Sequence, residues 1–142
     1  MDNIDIDYEE VIEDIARILE IDPPTLNHDQ SLLPSDTALA AANPYTWDVV
    51  LKEGLLVPDA MFALAHELRH LWQHRNGWNI LDAKDPSVTN KQEYNLQKHE
   101  IDANAFGVIY MSKYHLRPLL NGHTDRVKAL IYRRVDEIIG GK

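Results

Sequence analysis

The stretch from Pro58 to about Asn76 restricts the possible folds of this chain more than any other. Pro58 is typical of a first helical position and Gly77 of the position just past a helix end, so the stretch is predicted to be a helix. Its central part is largely apolar, with Phe62, Ala63, Leu64, Ala65, Leu71 and Trp72. An amphipathic surface helix carries only one apolar stripe. We therefore expect this helix to lie in the core, covered by other elements.

The centre of the predicted helix carries His66, Glu67 and His70 in the order His-Glu-x-x-His. Side chains four residues apart lie on one face of a helix, so the two imidazoles can converge on one Zn²⁺ ion. Glu67 projects beside such an ion, where its carboxylate can take a proton from metal-bound water. These residues predict a metal site with ligands His66 and His70 and with Glu67 as the catalytic base.

A catalytic zinc site needs a third protein ligand, and the sequence offers three positions for it. His74 continues the histidine stripe, but eight residues of helix rise about 12 Å, whereas Zn–N bonds are about 2 Å long. A third histidine six residues beyond His70, as in metzincins, is absent because Asn76 stands there. Glu100, on the next predicted helix, is the remaining candidate and the predicted third ligand.

Asn104 follows Glu100 by one helical turn. Its carbonyl oxygen could accept a hydrogen bond from a metal-binding imidazole and so orient that ring. Ala103 and Gly107 share this face, and such small residues allow two helices to approach closely. Asp102 points elsewhere by helical geometry and is the weaker candidate for ligand or orienter.

Together these positions resemble the zincin metallopeptidases of the gluzincin branch, in which His-Glu-x-x-His is followed by a glutamate-bearing helix. The segment Glu100-Ile101-Asp102-Ala103-Asn104-Ala105-Phe106 is similar to that of ImmA/IrrE-type peptidases and of minimal gluzincins. The similarity covers residues 57–111. It departs from the family pattern at Asn104, where Asp is commoner, at Gly107, where Ala is usual, and after the glutamate helix, where the usual Leu-Met-Pro stretch is missing.

The resemblance implies a zinc-dependent peptidase, an endopeptidase that acts on a protein or peptide. It implies Zn²⁺ on His66, His70 and Glu100, with Glu67 as general base, and a substrate that pairs with a strand from residues 37–52. The residues that stabilise the transition state are left open. The candidates are Tyr110, Tyr114 and His115, with Tyr94 and His99 as further possibilities.

The remaining pattern predicts an α+β fold in a single domain, residues 1–142. A helix over 7–20 precedes two or three short strands within 25–56, which we expect to form a small, mainly antiparallel sheet. After the histidine helix, a helix is predicted from about Lys91 to His115, capped by Thr89 or Asn90, and a C-terminal helix from about Asp125 to Ile139. His28 and His123 fall in predicted loops and are expected to face solvent.

Composition limits the classes of function. The chain has no cysteine, so any zinc site must use histidine and carboxylate ligands. The net charge of −9 argues against nucleic-acid or anionic-membrane partners. The acidic start lacks the features of a signal peptide, and no stretch is apolar enough for a membrane helix, so a cytoplasmic protein is expected. The alternatives are a zinc-binding regulatory or interaction module without turnover, against which Glu67 argues, and a toxin or effector peptidase.

Overall fold

The computed structural model describes residues 7–78, 97–120 and 122–141. Within these residues the chain forms an α+β fold, as predicted, with four α-helices and one three-stranded sheet. The elements in chain order are α1 (Tyr8–Leu19), β1 (Thr25–Asn27), β2 (Ala40–Asn43), β3 (Asp48–Leu51), α2 (Val57–Arg75), α3 (Lys98–Lys113) and α4 (Asp125–Ile139). No described helix is both long and apolar enough to cross a membrane.

Helix α1 follows Asp7, the first residue of the predicted helix, and ends before Pro23 and Pro24. The Asp7 carboxylate accepts a hydrogen bond from the backbone N–H of Glu9 at 3.0 Å, which satisfies one donor of the first turn. Glu20 ends the helix with a left-handed backbone (φ 58°). The apolar face of α1 is buried through Ile12, Ile15, Ala16 and Leu19.

The sheet is mixed, not mainly antiparallel as expected. Its order is β1-β3-β2, with β1 parallel to β3 and β2 antiparallel to β3. The antiparallel pair is a hairpin, whose turn is closed by the Trp47 N–H donating to the Asn43 carbonyl at 2.8 Å. β1 and β3 run parallel because the chain reverses direction twice between them, once before β2 and once in the hairpin. Strand β2 therefore lies at one edge.

Helix α2 is covered on several sides, as its apolar composition predicts. It packs against α1, against β2 and β3, and most extensively against α3. At Gly107 of α3 there is no room for a side chain: a Cβ atom there would lie 2.6 Å from Cε1 of Phe62. A glycine at this position is what lets the two helices come together.

The other two helices complete the core. Helix α3 is described from Lys98, so the predicted cap at Thr89 or Asn90 lies outside the described residues. Helix α4 has its predicted bounds, and Thr124 caps it by accepting a hydrogen bond from the Val127 N–H at 3.2 Å. It is packed on α3 through its buried apolar face, which comprises Val127, Ile131 and Val135. The buried start of α3 thus lies between α2 and α4.

Candidate metal centre

His66 and His70 lie one turn apart on α2, and their rings converge. Their Nε2 atoms are 3.1 Å apart, and the rings meet edge to face. Both side chains retain some exposure, 17% for His66 and 16% for His70, whereas the neighbouring Ala65 and Leu68 are fully buried. The helix therefore fixes the two imidazoles at the border between core and solvent.

Glu100 brings the third donor group, from the first turn of α3. Its carboxylate oxygens lie 3.2 Å from Nε2 of His66 and 3.0 Å from Nε2 of His70. Zn–N and Zn–O bonds of about 2.0–2.2 Å at tetrahedral angles place neighbouring donor atoms about 3.3 Å apart. The three side chains thus fit a single metal ion with little movement. Histidine and carboxylate donors also suit other first-row metals.

The three groups are strongly coupled electrostatically. Burial tends to raise the pKa of Glu100, but His70 and His66 outweigh it and hold this pKa well below its usual range. Burial tends to lower the pKa of His70, but the Glu100 carboxylate outweighs it and raises this pKa to about 9. The carboxylate is therefore ionised and ready to bind a cation.

Glu67 lies next to this group without joining it. Its carboxylate belongs with His66 and His70 to a cluster whose donor atoms all lie within 4.8 Å of one another. Among the described contacts, however, the side-chain oxygens closest to the two imidazoles are those of Glu100. Burial raises the pKa of Glu67, and the backbone of Ala42 in β2 opposes this rise. Glu67 also lines both clefts beside β2, next to Ala40 in one and Ala42 in the other, so it lies between the candidate metal ligands and this strand.

Each imidazole has an amide oxygen behind it. Oδ1 of Asn104 lies 2.8 Å from Nδ1 of His66, in the orienting position considered from the sequence. Oε1 of Gln73 lies 2.9 Å from Nδ1 of His70. The sequence analysis missed Gln73, although its position one turn after His70 in the same helix is a signal that could have indicated it.

Two clefts open on either side of the donor groups, along β2. One, of about 360 Å³, is lined by Leu39, Ala40, Phe62 and Leu119 among others and reaches His66 and Glu67. The other, of about 190 Å³, is lined by Ala42 and Pro44 and reaches Glu67 and His70. A larger cavity of about 470 Å³, beside Tyr45 and Val50, is lined by none of the donor side chains.

Two histidines not assigned to the metal flank the site, one in each cleft. His99 lines the smaller cleft, and its Nε2 lies 3.4 Å from Oε2 of Glu100. His123 lines the larger cleft. The expectation that His123 faces solvent is therefore wrong: the segment before α4 carries it into the cleft wall, a placement that depends on packing between α3 and α4.

Three predicted transition-state stabilisers are placed elsewhere. The hydroxyls of Tyr110 and Tyr114 donate to Asp14 of α1, at 3.1 and 2.7 Å. His115 is exposed beyond the end of α3. The reason is distance, since ten residues of helix between Glu100 and Tyr110 correspond to about 15 Å. These three assignments are corrected accordingly, and Tyr94 lies outside the described residues.

Asp102 and His74 also lie outside the donor group. Asp102 is buried and accepts a pair of hydrogen bonds from Arg69 at 2.7 and 3.0 Å and one from Arg134 at 2.8 Å. It therefore ties α2, α3 and α4 together behind the candidate metal ligands. His74 packs its ring against Tyr45, with 5.4 Å between the ring centroids.

Comparison with known proteins gives no relative. The chain matches no protein-family model, no curated protein and no solved structure. The function is therefore inferred from the chemistry of the chain's own residues and from the geometry of the site.

Proposed function

We propose that this protein is a zinc-dependent endopeptidase of gluzincin type. The observation that supports this most is the convergence of His66, His70 and Glu100 beside Glu67, which lines two clefts together with strand β2. Two histidines and one glutamate form a ligand set of catalytic zinc sites, which keep a further position for water or substrate. The absence of cysteine fits such a site and excludes thiolate-based structural zinc sites.

The metal would be held by His66, His70 and Glu100. When bound, it would act as a Lewis acid that lowers the pKa of a water ligand and polarises the carbonyl of the scissile bond. Glu67 is the general base in this proposal: it takes the proton of the attacking water and passes it to the leaving amine. Glu67 lines the same clefts as Ala40 and Ala42 of β2, so its carboxylate lies beside the strand along which the substrate backbone would lie.

Strand β2 supplies the substrate-binding edge. In the antiparallel pair, Ala41 lies opposite Val50, and the Leu39 carbonyl accepts from the Lys52 N–H at 2.8 Å. Residues alternate along such a strand, so the backbone groups of Ala40 and Ala42 point away from β3. No other strand of the described residues pairs with this edge, and an extended peptide could add to it as a further strand.

The clefts favour an endopeptidase over an exopeptidase. Strand β2 passes both of them, with Ala40 in the lining of one and Ala42 in the lining of the other. A peptide lying along β2 would therefore extend beyond the metal donors in both directions. The apolar lining by Leu39, Phe62 and Leu119 favours an apolar side chain in the larger cleft.

The decisive experiment combines metal analysis with cleavage of a complex peptide library, read by mass spectrometry. The wild-type protein should contain about one zinc per chain, as a single site implies. Glu67→Gln should retain the zinc and lose about 10²- to 10⁴-fold of the cleavage rate, the usual contribution of a general base. Glu13→Gln, an exposed glutamate on α1, is the matched control and should cleave as the wild type does.

Two results would contradict the proposal. If the protein purified without chelator contains no bound metal, the proposed metal centre is wrong. Equal cleavage by Glu67→Gln and the wild type would show that Glu67 is not the general base, because a glutamine cannot take up the proton.

A second candidate, a zinc-binding module without turnover, is favoured by His99. Its Nε2 atom lies 3.4 Å from Oε2 of Glu100, close enough for a fourth protein ligand. A site with four protein ligands is closed and has no position for water. X-ray absorption of the zinc-loaded protein distinguishes the candidates: two imidazoles support the peptidase, and three imidazoles with no cleavage support the module.

A further inference from the structure

Gln73 is a fully buried amide with a partner for each end of its side chain. Its Oε1 lies 2.9 Å from Nδ1 of His70. Its Nε2 donates at 2.8 Å to the backbone carbonyl of His99 and at 2.9 Å to Oδ2 of Asp102. The side chain thus links α2 with the first turns of α3.

These contacts leave one orientation for the amide. An amide nitrogen has two hydrogens to donate and an amide oxygen can only accept. The carbonyl of His99 and the carboxylate of Asp102 are both acceptors, so the nitrogen must face them. The oxygen must then face His70, and Nδ1 of that ring must carry the hydrogen that joins them.

The acceptor that holds Gln73 is itself held firmly. The Asp102 carboxylate accepts hydrogen bonds from Arg69 and from Arg134. The guanidinium of Arg69 also lies 3.7 Å above the ring of Trp72, and Asp102 is 1% exposed. The amide of Gln73 therefore has little freedom to rotate, whether or not a metal is bound.

We propose that Gln73 is a positioning residue that presets His70 for metal binding. Gln73 keeps the hydrogen of the ring on Nδ1. The other ring nitrogen, Nε2, is then the atom that can bind the metal, and it faces Glu100 and His66. The inference depends on the proposed metal role of His70 and adds to it the source of the ring's orientation. The two imidazoles are thus oriented from different helices: Asn104 on α3 holds His66, and Gln73 on α2 holds His70.

The test replaces Gln73 with methionine, which has similar length and no amide. Loss of such an orienting partner usually weakens metal binding about 10- to 100-fold, and we expect Gln73→Met to do the same in chelator competition. Gln30→Met is the matched control: Gln30 donates to the Leu51 carbonyl and accepts from the Glu53 N–H, both at 3.0 Å, away from the metal candidates, so this variant should retain zinc affinity even if it lowers stability.

A second measurement does not depend on whether the variant folds. In the zinc-loaded wild-type protein labelled with [¹⁵N]histidine, His70 should show a hydrogen on Nδ1 that exchanges slowly with water. Coordination through Nδ1, with the hydrogen on Nε2, would overturn the inference. In Gln73→Met the Nδ1 hydrogen should exchange faster, an effect that a purely structural role would not produce.

Failure of this inference and failure of the proposed function are distinguishable. A wild-type protein that binds no zinc contradicts both. A wild-type protein that binds zinc, together with a Gln73→Met variant of equal zinc affinity, contradicts only the role of Gln73.

Discussion

The side-chain oxygen of Asn104 lies 2.8 Å from Nδ1 of His66, one helical turn beyond Glu100. Helix α3 therefore supplies both a metal-ligand candidate and the group that orients a ligand of α2. Because the oxygen can only accept, the ring nitrogen donates, and Nε2 of His66 is directed at Glu100. The two helices must keep their spacing for this arrangement to hold.

Substitutions of Asn104 should weaken metal binding only when they remove its hydrogen-bond acceptor. Asn104→Leu should weaken zinc affinity about 10- to 100-fold, because Nδ1 of His66 then has no oxygen to hold it. Asn104→Asp keeps an acceptor and should bind zinc at least as tightly as the wild type. Competition with a chromophoric chelator measures both, and equal weakening in the two variants would contradict the orienting role.

Replacing Glu100 and replacing His74 should have very different effects on zinc binding. Glu100→Ala deletes a carboxylate that lies 3.0–3.2 Å from both imidazoles and should abolish stoichiometric zinc binding. His74→Ala deletes a ring that packs against Tyr45 and should retain the metal. Metal content after dialysis tests this, and the reverse ranking would mean that the third ligand is wrongly assigned.

Gly107→Ala introduces the residue usual in the family that the chain resembles, and we expect it to be unfavourable here. The added Cβ would lie 2.6 Å from Cε1 of Phe62, so the ring must shift. Overpacking of a core costs about 1–3 kcal/mol, against a gain in helix propensity of about 1 kcal/mol. Urea unfolding should show a net loss of stability. Ser112→Ala, at an exposed position of the same helix, is the control and should not destabilise.

Asp14 should make stability depend on pH in the acid range. Burial tends to raise its pKa, but hydrogen bonds from Tyr114 and Tyr110 outweigh it, so the pKa lies below the ordinary 3.8. A lowered pKa in the folded state contributes stability above pH 3.8, and this contribution is lost as the pH falls through the folded value.

The corresponding variant is Asp14→Asn. At pH 7 it should be less stable than the wild type by about 1 kcal/mol, because an uncharged amide oxygen accepts weaker hydrogen bonds from the two tyrosines than a carboxylate does. The difference should shrink as the pH falls below 3.8. Glu13→Gln, exposed on the same helix, should show no such trend. A difference for Asp14→Asn that is constant with pH would contradict this account.

Much of the helix and turn structure could be predicted from short stretches of sequence. The bounds of α4, the cap at Asp7 and the hairpin turn after Asn43 follow from neighbouring residues, because capping and turn formation act over a few positions. The mixed sheet, with one parallel and one antiparallel pair, could not be predicted in this way. Pairing of β1 with β3 joins segments more than twenty residues apart, and nothing local specifies it.

The candidate site also combines features that could be predicted from the sequence with features that depend on tertiary packing. The spacing of His66, Glu67 and His70 within one helix, and of Glu100 and Asn104 within another, is a property of the sequence, because helical periodicity alone puts each pair on one face. The packing of α2 against α3, for which Gly107 leaves room, decided that these faces meet. Tertiary packing also placed Tyr110 and Tyr114 on Asp14 and brought His99 and His123 to the site. Such contacts join residues on different elements, and they exist only once the helices have packed.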